Sequence, residues 1–485
     1  MMAAAFCLLV GFTFTEQEIP GFHVEGISVT GKPQLNGRQA DLSGDGAVDL
    51  ILPHQVLLQK DGIFDIKTPV SLPEAGVACD TWKSSLFLRL PDRLQVLTLE
   101  DGQWKAQLDQ PVSWPHSLSK SSGGLRFERF LFDMDCDGTP ELAIPDEKAL
   151  HIFVKKGDAY QNVAALDVFP DLRLARNIPQ SLWPHEDRRI IVPPRGMTCC
   201  YLLEGDRLAV MSPEEIASDA VQYRTYSYVL VQEPDGQLSA KVTNDTVSEP
   251  VPLDFEPCRL NEDDILDFVG DECELSEATA LPVPVLETRA STDAGQQVQT
   301  VRTTSFRPQC SWVDFDGDGR VDMVTESTGL FDGGVRESIN RFFVATDFFH
   351  EVHVHLQDSQ GRFAAEPTIT GRFKLLLDAP PHQNSEMRRN YQYGRLVNVT
   401  GDFNADRHRD VAIQDAPDRV AVYLTTDGKV STTPAFCVPI NPGERFAVAD
   451  VNQDGRSDIV MYWYESAKGT RTLRNRVCFV QEGTP

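Results

Sequence analysis

Asp314-Phe-Asp316-Gly-Asp318-Gly319-Arg-Val-Asp322, followed by apolar Met323 and Val324, decides how the chain reads. Carboxylates stand at positions 1, 3, 5 and 9 of a nine-residue loop, with glycine at position 6. A hard cation such as Ca2+ takes roughly 6–8 oxygen ligands, and alternate acidic residues around a sharp glycine turn supply them. The apolar residues that follow read as a β-strand, so the loop is expected to lead into a sheet rather than a helix.

The pattern recurs down the chain, which raises it above a solvated acidic turn. Asp41, Ser43, Asp45 and Asp49 hold the same four positions in a first copy. Asp133, Asp135, Asp137 and Glu141 hold them in a second. Asp402, Asn404, Asp406 and Asp410 form another, and Asp450, Asn452, Asp454 and Asp458 the last. A degenerate copy, Arg259-Leu-Asn261-Glu-Asp263-Asp264-Ile-Leu-Asp267, keeps the frame without the first carboxylate or the glycine. Arg259 is able to fill the cation position there and pair with Asp263 or Asp267. At Asp402, Arg407 stands where glycine is expected, so the turn must strain or reshape.

These loops resemble the calcium loops of FG-GAP/VCBS repeats, the family that includes the integrin alpha-chain propeller. The resemblance implies an all-β fold, a β-propeller of four-stranded blades, with each metal loop joining the first two strands of its blade. It also implies about four to five structural Ca2+ ions. The Phe-Gly and Gly-Ala-Pro signatures of integrin-type repeats are missing, so the likeness is to divergent bacterial VCBS-type repeats and integrin-like ligand recognition does not carry over.

Between the loops lie short apolar runs punctuated by turn signals, such as Leu50-Ile-Leu, Val56-Leu-Leu-Gln and Ile63-Phe-Asp-Ile-Lys. Units without ligands fall at Val77–Leu99 and Arg189–Asp206. Counting strand sets favours eight blades, with seven as the alternative. The last unit, ending on Arg476-Val-Cys-Phe-Val-Gln, is one strand short, and Phe22–Val29 is the expected strand to complete it. Insertions are expected near 209–258 and 325–395. Tyr223–Gln232 reads as one arm of a hairpin through Asp235-Gly236, and Pro213–Ala220 as a short surface helix.

The formal charge of −27 excludes a phosphate-binding surface built from clustered Lys and Arg, so no nucleic-acid partner is expected. Part of that charge sits in the loops, where converging carboxylates repel one another without a cation. The opening Met1–Phe12 is apolar but too short to span a bilayer, and no transmembrane segment is expected. It fits the apolar region of a secretory signal over residues 1–15, with Thr13-Phe-Thr15 as the cleavage site and a single propeller domain over 16–485. A secreted, periplasmic or cell-surface location follows. Among ten cysteines no C-x-x-C pair occurs, which leaves zinc and redox motifs without support. Cys258 and Cys273 flank the degenerate loop and are placed for a possible bridge.

Other candidates are weaker. His350-Glu-Val-His353-Val-His355 offers a two-histidine metal arm or simply a polar strand face. Arg372-Phe-Lys374 with Met387–Tyr393 forms a basic and aromatic patch, either a ligand contact or plain surface. The six tryptophans read as blade packing more than sugar platforms. No catalytic residues are assigned. The resulting expectation is an exported calcium-binding propeller that binds a protein or glycan, with a calcium-dependent polysaccharide lyase or hydrolase of propeller architecture as the alternative.

Overall fold

In a computed structural model, the described residues are 12–22, 24–27, 33–35, 37–73, 77–114, 125–127, 130–135, 137–145, 149–167, 190–191, 200–204, 207–217, 220–232, 238–252, 256–258, 267–275, 282–292, 295–302, 309–328, 347–376, 396–467 and 470–482. Every regular element among them is a strand. Among these residues no helix is long and apolar enough to cross a membrane. The degenerate loop up to Leu266, Trp183, the Met387–Tyr393 patch, Met1–Gly11 and the Cys258 and Cys273 side chains lie outside the description.

The chain divides into two compact units, residues 37–255 and residues 1–36 with 256–485. In the first unit, sheets succeed one another along the chain, paired antiparallel except where Ala78–Cys79 meets Arg126–Phe127 in parallel, and Gln59–Lys60 with Ile63–Phe64 forms a small separate hairpin. The sheet of Leu131–Phe132, Glu141–Pro145, Ala149–Lys156 and Ala159–Asp167 is typical. Its strands alternate apolar positions inward, so Leu142, Ile144 and Phe153 join Phe87, Leu94 and Val96 of the preceding sheet in one core. Two successive sheets therefore bury one layer of side chains between them, which is the packing a stacked repeat needs.

One of the sheets without metal ligands, Ala78–Trp82 through Pro111, holds its neighbours by a buried carboxylate instead. Asp80 is 3% exposed and its Oδ2 accepts from the backbone N–H groups of Phe130 (2.8 Å) and Leu131 (2.9 Å). Its Oδ1 pairs with Arg38 of the preceding sheet. A charge buried this deeply is tolerable only when both oxygens are occupied, as they are here.

The second unit contains the sheets of Glu256–Arg302, Gln309–Leu376, Val397–Pro439 and Arg445–Glu482. The last takes its fourth strand from the start of the chain, though not from the expected segment. Phe12–Gln17 pairs antiparallel with Val477–Glu482, residue for residue. Val24–Ile27 pairs instead with Pro33–Leu35 in a separate hairpin. The alternation in Phe12-Thr-Phe-Thr-Glu-Gln suits an edge strand with one face inward: Phe12 packs on Phe436 at 5.2 Å and Glu16 accepts from Arg476 at 2.8 Å. Ile19 and Phe22 just beyond it are fully buried.

The expected helix at Pro213–Ala220 is a second departure. Arg207–Ala217 and Ala220–Gln232 form one long hairpin, in which the Pro213 position pairs with Tyr223. Cross-strand pairing with the β-rich Tyr223–Val231 run outweighs the helix preference of Glu214 and Glu215. Ala220–Gln232 then pairs with Leu238–Val247, the hairpin expected through Asp235-Gly236.

Candidate metal loops

Each intact loop bridges the first two strands of its sheet, and its hydrogen bonds repeat from copy to copy. The position 1 carboxylate accepts from the N–H of position 6: Gly46 to Asp41 (3.0 Å), Gly138 to Asp133 (3.0 Å), Gly319 to Asp314 (3.1 Å), Arg407 to Asp402 (2.8 Å) and Gly455 to Asp450 (3.0 Å). The position 5 carboxylates of Asp45, Asp137, Asp318, Asp406 and Asp454 accept from position 7 at 2.6–2.9 Å. The acidic residues thus shape the turn through their own hydrogen bonds.

Position 9 has a double task. Asp322 Oδ2 accepts from Phe315 N (2.8 Å) inside its own loop, and Oδ1 accepts from Gln357 N (2.8 Å) beyond the next strand. Asp410 does the same with Phe403 and Thr425, Asp458 with Val451 and Val480, and Asp49 with Leu42 and Gln59. Glu141, one methylene longer, accepts from Met134 N at 2.6 Å. These carboxylates are at most 2% exposed. Position 2, which sequence reasoning passed over, is a buried apolar plug in the five described copies: Leu42, Met134, Phe315, Phe403 and Val451. The signal for it was present, because each loop reads acidic–apolar–acidic or polar at its start.

Burial pushes the position 9 acids upward, and neighbouring carboxylates add to the effect. Glu141 rises from 4.5 to about 8, Asp322 and Asp410 from 3.8 to about 7, and Asp458 well above the ordinary range. Backbone N–H donors oppose the shift without cancelling it. Asp450 at position 1 rises to about 6 for the same leading reason.

Two loops bring three carboxylates to one point. In Asp133, Asp135 and Glu141, and again in Asp314, Asp316 and Asp322, one oxygen from each residue lies within 4.8 Å of the others. Oxygens that share a Ca2+ ion at 2.3–2.6 Å have this spacing. In both loops the position 1 residue keeps a buried oxygen with no hydrogen-bond partner, Asp133 Oδ1 and Asp314 Oδ1. A buried anionic oxygen left bare is costly, and a cation in the cup is the partner its surroundings lack. The residues of both loops therefore fit a hard divalent ion.

The remaining loops differ at position 3. Asn404 and Asn452 turn their amide nitrogens onto the position 5 carboxylates, Asp406 (2.8 Å) and Asp454 (3.1 Å). Rotating either amide presents its oxygen in the same place. Ser43 faces Asp41 Oδ1 at 3.5 Å. The Asp402 turn does not reshape around its arginine. Arg407 takes φ 74°, beside 88° for Gly319, and retains the shared hydrogen bond.

The described side chains of the other candidates make contacts within the fold. His350 is buried 3.5 Å from Glu326, and His353 lies 3.5 Å from Glu351. His355 Nδ1 bonds Ala364 O at 2.8 Å, and its burial lowers its pKa. Among the described residues no group of three metal-ligating side chains includes a histidine. Arg372 stacks over Phe349 at 4.1 Å and pairs with Glu351 at 3.2 Å. Trp104 and Trp114 donate to backbone carbonyls of Ser71 and Leu90, and Trp312 packs edge-on against Phe363 at 5.6 Å.

Residues 402–461, which hold the last two loops, match the FG-GAP-like repeat. No curated protein matches the chain. Among solved structures, a putative 6-phosphogluconolactonase from Bacteroides fragilis shares 9% identity, with 88% of this chain and 98% of that chain covered and a TM-score of 0.28. The WD40 domain of SCAP from fission yeast shares 10%, with coverages of 84% and 92% and a TM-score of 0.27. Scores this low carry no weight here. The described residues are all-β, in successive sheets of which many are four-stranded and antiparallel, and one stretch matches the FG-GAP-like repeat.

Proposed function

We propose that this chain is an exported, calcium-stabilised β-propeller that serves as a binding or scaffold module for a protein or glycan. The observation that carries the metal assignment is the bare buried oxygen of Asp133 and of Asp314, each beside two converging carboxylates. Ca2+ suits such a cup better than Zn2+, because all its donors are hard oxygens. Its chemistry would be charge neutralisation, tying the loop to the strands it joins. The chain's own residues do the rest. Position 9 carboxylates of the Asp41, Asp314, Asp402 and Asp450 loops tie them to backbone beyond the loop, and the apolar residue at position 2 seats each loop in the core.

Asp41, Asp402 and Asp450 supply further cups with serine or asparagine at position 3, for a total of about four to five ions. One propeller is proposed from the strand Phe12–Gln17 to residue 485, which moves its start upstream of the expected residue 16, with ligand-binding segments drawn from insertions near 209–258 and 325–395. Loops on a rigid scaffold are where binding residues concentrate. Support for export comes from the apolar start and from the weak-to-moderate affinity such cups have, which suits millimolar extracellular calcium.

Isothermal titration of the chelated protein with CaCl2, alongside calorimetry with and without chelator, tests the metal assignment. Saturable binding with a raised melting temperature is expected. No heat of binding and an unmoved melting temperature would overturn it. Glycan and surface-protein arrays probed with the calcium-loaded chain test the ligand class.

A further inference from the structure

We propose that Arg409, from the loop of the following sheet, is a positioning residue for the Asp314 cup. The inference rests on the metal reading of that cup and goes beyond it. Asp314 carries the bare buried oxygen, yet its main chain is held from outside its own loop. Arg409 Nε donates to Asp314 O at 3.2 Å, and Arg409 N donates to Phe315 O at 2.8 Å. Two successive carbonyls, those of the first ligand and of the plug beneath it, are thus fixed by one residue of the next sheet. Nη1 of the same guanidinium reaches Thr400 O at 3.4 Å, which ties the arm to its own strand.

The next pair of loops repeats the arrangement one step on. Ser457, at the same position 8 of the Asp450 loop, donates its N–H to Asp402 O at 2.7 Å and accepts from Asp402 N at 2.9 Å through Oγ. Position 8 of one loop therefore grips position 1 of the loop before it. A ligand whose backbone is held in place loses less freedom when the ion arrives.

This role predicts a sign that simple electrostatics does not. A guanidinium near an acidic cup repels a cation, so on charge alone removing Arg409 tightens binding. If Arg409 positions Asp314, removing it weakens binding.

Terbium titration of the full chain reads the two three-carboxylate cups separately. Trp312 stands two residues before Asp314, and Trp82 Nε1 lies 3.4 Å from Gly138 O in the Asp133 loop. Trp312→Phe identifies the Asp314 share of the sensitised emission. In Arg409→Leu, half-saturation of that share should rise roughly three- to tenfold, the worth of a lost hydrogen bond, with the Trp82 share unmoved. Arg409→Lys keeps the charge without the planar fork and should also bind more weakly. An Asp314 share unmoved or tighter in Arg409→Leu, or equal to wild type in Arg409→Lys, would overturn the role of Arg409 alone. No Trp312-sensitised emission in the wild-type chain would overturn the metal reading and this inference with it. Melting curves in saturating Ca2+ confirm that each variant is folded.

Discussion

Gly317 and Arg407 touch across two loops: a Cβ placed on Gly317 would lie 2.7 Å from the Arg407 carbonyl oxygen and 2.9 Å from Arg407 Cβ. Position 4 of the loop does not demand glycine in general, since Ala405 and Gln453 occupy it at φ 59° and 53°. Gly317 is needed because the neighbouring loop leaves no room. Gly44 is the control, with φ 72° and open space around it. Gly44→Ala should cost about 1–2 kcal/mol for the left-handed backbone. Gly317→Ala should cost about 1–3 kcal/mol more from overpacking, and urea denaturation of both variants measures the difference.

Arg407 itself holds a conformation that a side chain disfavours. Arg407→Gly keeps the backbone donor to Asp402 and relieves the left-handed strain, so stability should increase by about 0.5–1 kcal/mol once the unfolded chain's added freedom is deducted. The midpoint of chemical denaturation reports it. A loss of stability would mean that the exposed arginine side chain makes a contact outweighing its strain.

Metal-free and metal-loaded protein should respond to pH in opposite directions. The folded pKa values of Glu141, Asp322 and Asp410 stand above their ordinary values, so in the chelated protein their protonated forms favour folding. That contribution is complete below about pH 4 and is lost as pH rises through 7 to 8. Binding a cation requires the ionised forms, so the stabilisation by Ca2+ should grow over the same interval. Melting temperatures at pH 5 and pH 8, each with chelator and with Ca2+, should show the smaller metal effect at pH 5.

The strand Phe12–Gln17 is expected to be integral to the last sheet. Deleting residues 1–17 uncovers the Val477–Glu482 edge, removes the Phe12–Phe436 contact and leaves Arg476 without Glu16. The truncated chain should melt lower and self-associate, as unpaired edges do. A peptide spanning residues 12–22, added in trans, should restore part of the loss. Processing after Thr15 would sever this strand, so on the proposed export the mature chain should begin at or before Phe12, which N-terminal sequencing decides.

The loops were legible from sequence because their chemistry is local. Four oxygen donors and a turn within nine residues announce themselves, and the strand after each loop follows from Leu50-Ile51 or Ile459-Val460. Long-range choices were not. Phe22–Val29 and Phe12–Gln17 both alternate as strands should, and only the company of Phe436 and Arg476 selects the second. Pro213–Ala217 has helical composition but lies opposite Tyr223 in a hairpin, where a partner strand decides. Arg409 reads as an ordinary charge until the Asp314 loop is seen against it.

Asp80 has a consequence for how the protein would loosen when stripped of cations. The sheet it belongs to relies on its own carboxylate, clasped by Arg38 on one side and by two amides on the other. Chelation has nothing to withdraw there. Amide exchange in EGTA should therefore be patchy, fast around Asp133 and Asp314 and slow along Ala78–Trp82, as though that sheet were a rivet between hinges.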